Sequence, residues 1–232
     1  MSDARADILH RIQSRLRGGP VGEATATALG ERLRAHPRSL VPARAKELDR
    51  PARITLFIAM AEEVQATVAR VARAEDAPAA VARYLAERNL PARVVLTPDP
   101  RVMELPWRET ALALRAGVAH DTDTAGVSGC FAAIAETGTL MLVSAPDRPT
   151  RNSFLPETHI VLLRAEDITG FYEEAWDRLR AACWTGAGFA MPRTVNFVTG
   201  PSRTGDIAQK IELGAHGPMR LHIVLIDDAA PA

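Results

Sequence analysis

Apolar residues recur at helical spacing in the opening segment, at Ile8, Leu9, Ile12 and Leu16, and Gly18-Gly19-Pro20 ends that run. The spacing predicts an amphipathic helix. A second helix is expected over about Glu23 to Ala35, closed by Pro37. Pro37, Pro42 and Pro51 punctuate residues 36–51, a stretch with few large apolar groups that reads as an extended surface connector. Residues 1–50 are thus expected to form a helical arm with its connector, and residues 51–232 the main domain.

From Arg50 onward the pattern alternates. Ile54 to Val64 has helical periodicity, Thr67 to Val71 is a short β-type stretch, and residues 77–89 are rich in helix formers. The apolar run 93–97 follows as a strand, then the turn Pro98-Asp99-Pro100. This β-α-β order predicts a parallel strand pair joined by a right-handed crossover. Residues 107–116 suggest another short helix and 117–121 another strand.

The second half is richer in strands. FAAIAE (131–136) and LMLVS (140–144) flank the turn Thr137-Gly138-Thr139, and HIVLLR (159–164) is a strongly apolar strand. Asp167 is placed to cap a helix running to about Ala182. TVNFVTG (194–200) and RLHIVLID (220–227) complete the strands. The fold class expected is α/β: a three-layer α/β/α arrangement with a mixed sheet between helix layers.

Composition narrows the function. The 232 residues suit one α/β domain with an attachment, and 28 acidic residues balance 28 basic ones. A balanced chain lacks the clustered positive excess that phosphate neutralisation needs, so nucleic acid is not an expected partner. Two cysteines, Cys130 and Cys183, are too few for a four-thiolate iron–sulfur cluster or a four-cysteine zinc site. No HExxH, HxH or CxxC spacing occurs, so no intrinsic metal site is expected. Neither a run of about 18 apolar residues nor a secretory signal pattern is visible, and a cytoplasmic protein is expected.

Four segments have the residue types that chemistry needs. In Glu136-Thr137-Gly138-Thr139 a carboxylate ends an apolar strand just before a glycine turn. Apolar walls raise a carboxyl pKa and suit it to act as acid, base or nucleophile, although a solvated turn glutamate fits as well. In the segment 200–207, a strand leads into Ser202, Arg203, Thr204 and Asp206, with a helical turn expected next. Backbone N–H groups and hydroxyls there suit an anion, and simple helix capping fits equally. His216 and Gly217 lie in a sharp turn before the final strand, where the ring can relay a proton or satisfy a neighbouring carbonyl. Arg151 and His159 bracket a loop entering a buried strand and can reach an anion, or simply anchor that loop.

These segments, in this order, resemble the lactate utilisation protein C family, the stand-alone form of the LUD domain. The similarity rests on FAAIAETGTLMLVS (131–144), LPETHIVLL (155–163), GPSRTGDI (200–207) and GAHGPMRLHIVLI (214–226). It implies a fold like the ribose-phosphate isomerase, glucosamine-phosphate deaminase and CoA-transferase group. It also implies a part in oxidising L-lactate to pyruvate beside partner proteins that carry the iron–sulfur clusters, this chain holding no cofactor of its own. A small hydroxy-acid or keto-acid is then the expected ligand. Its carboxylate would meet Thr137, Gly138, Thr139, Arg151, Ser202, Arg203, Thr204, Asp206 and Gly217, with Glu136, His216 and His159 as proton-transfer candidates.

Two other readings stand beside this one. Some CoA-transferases of that fold group attack a thioester with the glutamate of an E-x-G turn, a shape Glu136-Thr137-Gly138 shares, so an independent acyl-CoA or sugar-phosphate enzyme is one alternative. A non-catalytic sensor or assembly factor docking through residues 3–35 is the other.

Overall fold

The structure is a computed structural model that describes residues 4–16, 21–38, 40–185, 188–207 and 210–228. By internal contacts the chain divides into Met1–Leu40 and Val41–Ala232. The first unit holds α1 (Ala4–Arg15) and α2 (Glu23–Ala35). Neither helix has a buried residue, and Ile8, Leu9, Ile12 and Leu16 are all exposed.

The second unit runs α3 (Arg50–Glu63), β1 (Thr67–Val71), α4 (Ala77–Glu87), β2 (Arg93–Leu96), α5 (Pro100–Met103), β3 (Ala113–Ala116), β4 (Ala125–Gly129), β5 (Ala132–Ile134) and β6 (Thr139–Val143). It continues with α6 (Arg151–Phe154), β7 (Thr158–Arg164), β8 (Ile168–Thr169), α7 (Tyr172–Cys183), β9 (Trp184–Thr185) and β10 (Gly188–Phe189). The last strands are β11 (Val195–Val198), β12 (Arg203–Ile207), β13 (Lys210–Leu213) and β14 (Arg220–Ile226).

Six strands form the central sheet in the order β1-β14-β7-β4-β2-β3, every neighbouring pair parallel. Such a sheet is covered on both faces, which is why β7 and β14 are nearly continuous apolar runs. Successive residues point to opposite sides. Ile160 and Leu162 pack with Val81 and Leu85 of α4, whereas Val161 and Leu163 pack with Phe57 and Ala61 of α3. On the α3 side lies a second sheet, β11-β6-β5-β8, antiparallel except for its β5–β8 pair. Its Leu140 and Leu142 face the core shared with α3, and Met141 faces Ala175 and Leu179 of α7.

Several expectations from sequence need correction. The expected α/β class holds, but the central sheet is wholly parallel, and the antiparallel pairs lie in the β11-β6-β5-β8 sheet and in the β9–β10 and β12–β13 pairs. The strands β1 and β2 are parallel members of one sheet, but β14, β7 and β4 lie between them. Residues 107–116 do not form a helix: a 3-10 turn at Trp107–Glu109 precedes β3, which pairs along β2. Local alanine and leucine content favours a helix, and an open sheet edge overrides it. The strand expected at 117–121 is instead β4 at Ala125–Gly129, whose glycines gave a weak signal. Glycine is required at position 126 within this strand because a Cβ there would lie 2.9 Å from the Asn152 carbonyl oxygen. No helical turn follows Gly200: residues 203–207 form β12, hairpin partner of β13. The helix after residue 167 starts only at Tyr172, so Asp167 does not cap it.

Candidate functional site

Two neighbouring cavities lie beside the central sheet. The first encloses about 200 Å³ and is lined by Thr97, Ser128 and Gly129, at the carboxyl ends of β2 and β4. Open parallel sheets characteristically bind ligands at these ends. Arg101, Arg148 and Arg178 bring three guanidinium groups to its wall. Two of them are held by one buried carboxylate: Asp167 Oδ2 accepts from Arg101 Nη1 at 2.9 Å, and Asp167 Oδ1 pairs with Arg178. The Arg178 guanidinium also lies 5.6 Å from the Phe131 ring centroid and donates to the Glu166 carbonyl. A guanidinium fixed in this way keeps further N–H donors for a carboxylate or phosphate.

The polar floor of this cavity is fixed as well. Asn152 is buried, donates to Thr97 Oγ1 at 3.1 Å and to the Gly117 carbonyl at 2.8 Å, and accepts from Ala119 N–H. Asp99 accepts from Arg101 N–H, which fixes the start of α5. Cys130 lines the cavity too, but its thiol donates to the Ala132 carbonyl, and burial pushes its pKa up to about 12. It is a packed thiol at neutral pH, without the thiolate that nucleophilic attack needs.

The second cavity encloses about 230 Å³ near the amino ends of β7 and β14. It brings together five residues singled out from sequence: His159, Ser202, Arg203, His216 and Gly217. Ser202 N–H donates to the Pro218 carbonyl, and its Oγ accepts from His216 N–H at 3.4 Å, which ties the two loops together. Arg203 donates to the Val64 carbonyl. His159 is wholly buried, and burial lowers its imidazole to about 4, so the ring is neutral at pH 7. Its Nε2 lies 2.8 Å from the Oγ of Ser128, which lines the first cavity. The contact thus joins a residue that lines one cavity to a residue that lines the other.

The remaining sequence candidates lie elsewhere. Glu136 lines neither cavity. It is buried, and its carboxylate accepts from the backbone N–H of Tyr172 at the start of α7. Burial raises its pKa, and the Tyr172 N–H works against that rise. Thr137 and Thr139 share a hydroxyl cluster with Tyr172 and Thr199, with Thr139 Oγ1 2.7 Å from Thr199 Oγ1. Gly138 adopts φ 64° and presses on the α3 backbone at Met60 and Ala61. Arg151 pairs with Asp121 at 2.7 Å on the surface and lines neither cavity. Thr204 is buried in β12, and the side chain of Asp206 lies outside the described residues. Sequence reading missed Arg101, Arg148, Arg178 and Ser128 as site residues. Only the Asp99 turn and the Gly-Cys segment pointed toward them.

Comparison with known proteins bears on these cavities. Residues 119–226 match the LUD domain. Lactate utilization protein C of Bacillus subtilis is 31% identical over 103 residues, 44% of this chain and 42% of that protein. The protein of that name from Exiguobacterium is 31% identical over 123 residues, 53% of this chain and 50% of that protein. An uncharacterized protein of Neisseria meningitidis is 39% identical over 110 residues, 47% of this chain and 45% of that protein. The chain spans about half the length of the curated relatives it matches. A crystal structure of a DUF162 family protein from Deinococcus radiodurans shares the fold, with a TM-score of 0.57 at 24% identity, covering 77% of this chain and 99% of that one.

All residues of the second cavity fall inside the LUD segment. The first cavity combines LUD residues with Thr97, Asp99 and Arg101 from upstream of it. Among the described residues, no helix is long and apolar enough to cross a membrane, and no group of three or more His, Cys, Asp or Glu is placed to hold a metal ion.

Proposed function

We propose that this chain is a cytoplasmic component of a lactate utilisation system and that its first cavity binds a small hydroxy-acid or keto-acid. The observation that carries the reading is Asp167, which seats Arg101 and Arg178 on the wall of a cavity at the carboxyl ends of parallel strands. A planar carboxylate matches a guanidinium fork, and the Ser128 and Thr97 hydroxyls offer partners for a 2-hydroxyl or 2-keto oxygen. A volume near 200 Å³ suits a three-carbon acid better than a coenzyme A ester. The names of the relatives from Bacillus subtilis and Exiguobacterium support the metabolic assignment.

Oxidising lactate to pyruvate removes two electrons and two protons. In this reading, partner proteins with iron–sulfur clusters take the electrons, and this chain orients the acid. Calorimetric titration of the purified chain with L-lactate and pyruvate tests the binding step. At about 100 times the dissociation constant, ligand adds roughly 2.7 kcal/mol of stability, so melting shifts give an independent readout. Arg178→Gln should abolish both signals while leaving the circular dichroism spectrum unchanged. A shift with acyl-CoA or sugar phosphates and none with either acid would overturn the assignment.

A further inference from the structure

The second cavity has two kinds of wall. Arg203 and Ser202 supply charge and a hydroxyl, and Phe154, Phe197 and Leu221 supply apolar surface. His159 also lines it, and the Nδ1 of that ring is buried without a hydrogen-bond partner. A polar atom kept dry and unpaired carries its full desolvation cost. The ring that carries it borders the cavity, so a ligand there can bring the missing partner.

The hydrogen bonds around Ser128 indicate which proton is where. Ser128 has one hydroxyl proton and two acceptors within reach, the Gly129 carbonyl at 3.2 Å and His159 Nε2 at 2.8 Å. If Ser128 donates to Gly129, the ring carries its proton on Nε2 and Nδ1 is a bare acceptor. If Ser128 donates to Nε2, Nδ1 carries an N–H with nothing to accept it. Buried donors without partners are rarer than buried acceptors without them, so the first arrangement is the resting one. A carboxylate offers only acceptors and therefore calls for the second.

We infer that the second cavity binds a short organic carboxylate, its charge on Arg203, its apolar body against Phe154, Phe197 and Leu221, and one oxygen on His159 Nδ1–H. Occupancy exchanges the tautomer: one proton leaves Nε2, one arrives on Nδ1, and the ring stays neutral. The Ser128 hydroxyl proton then turns from the Gly129 carbonyl to Nε2. That leaves the Ser128 oxygen as an acceptor facing the first cavity. A ligand in one cavity thereby changes the hydrogen bonding offered in the other, a consequence that rests on the functional reading of the first cavity.

The test is a nitrogen-15 histidine NMR titration of the full chain, with His159 assigned through its backbone correlations. The probes are butyrate, which lacks a 2-hydroxyl, and inorganic phosphate. Butyrate should saturate and switch the unprotonated ring nitrogen of His159 from Nδ1 to Nε2. Arg203→Gln should weaken that response at least tenfold, and Arg178→Gln should leave it intact. No change at His159 under saturating butyrate, or a ring already protonated on Nδ1 without ligand, overturns the proposal. An equal response to phosphate overturns the organic-carboxylate assignment. Loss in Arg178→Gln with retention in Arg203→Gln moves the ligand to the first cavity and overturns this site alone. Loss of lactate binding alone leaves it standing.

Discussion

Asp167 Oδ2 lies 2.9 Å from Arg101 Nη1, although 66 positions separate the two residues along the chain. The other oxygen of the same carboxylate pairs with Arg178. The Asp167 side chain is 1% exposed, and the two arginines are 45% and 35% exposed. The carboxylate is thus the buried fixed point and the guanidinium groups reach outward from it. Asp167→Ala should lower stability by about 1–3 kcal/mol, because both arginines left behind can still be solvated. The same variant should weaken lactate binding, since the arginines lose their anchor. Urea denaturation and calorimetry read the two effects, and unchanged affinity would separate Asp167 from ligand binding.

Stability should fall as the pH drops from 6.5 towards 5. His159 and His222 are buried, and burial lowers both imidazoles from 6.5 to about 4. His222 stacks on Tyr84 at 3.8 Å and places Nδ1 2.8 Å from Thr67 Oγ1. Below pH 6.5 the unfolded chain takes up protons that the folded chain excludes, and above it neither ring contributes a slope. Each histidine should account for up to about 1.4 kcal/mol per pH unit in that window. Urea midpoints measured across it, for the parent and for His222→Gln, should show the slope and its partial loss. A flat profile would mean that these rings protonate in place.

Gly138→Ala and Gly30→Ala should act in opposite directions. Gly138 has φ 64°, and an added Cβ would meet the backbone of Met60 and Ala61. The substitution should cost about 1–3 kcal/mol by strain and overpacking. Gly30 lies within α2, and a Cβ there has nothing within 4 Å. Alanine at position 30 should stabilise that helix by about 1 kcal/mol. Chemical denaturation for the first and helical circular dichroism for the second decide the signs.

Cys130 should resist thiol reagents in the folded chain. With its pKa near 12, its thiolate at pH 8 is scarce. Modification in a Cys183→Ser background should proceed about a thousandfold slower than in denaturant. Rapid labelling of folded protein would show that the cavity wall opens.

What the sequence determined by itself was what period and local chemistry encode. The apolar runs at 159–164 and 220–226 became β7 and β14, and the helical pattern before Val64 became α3. The turn at Gly138 joined the two expected strands, and the spaced motifs pointed to the LUD domain. Arg203, at the start of β12, and His216, in the turn before β14, line one cavity.

Only the tertiary structure decided the rest. Strand order put β14, β7 and β4 between β1 and β2, which follow one another in the chain, and no local pattern carries that order. A glycine-containing stretch became the strand β4 through pairing with β2 and β7, and Asn152 and Pro156 pack where a side chain at Gly126 would stand. Glu136 had the residue type of a proton-transfer group but went to the N-terminus of α7. Asp167 had the spacing of a helix cap but went to Arg101 and Arg178. Propensity and capping act over one or two turns of chain. A buried charge must find its counter-charge wherever the fold brings one, and that distance is set by the sheet.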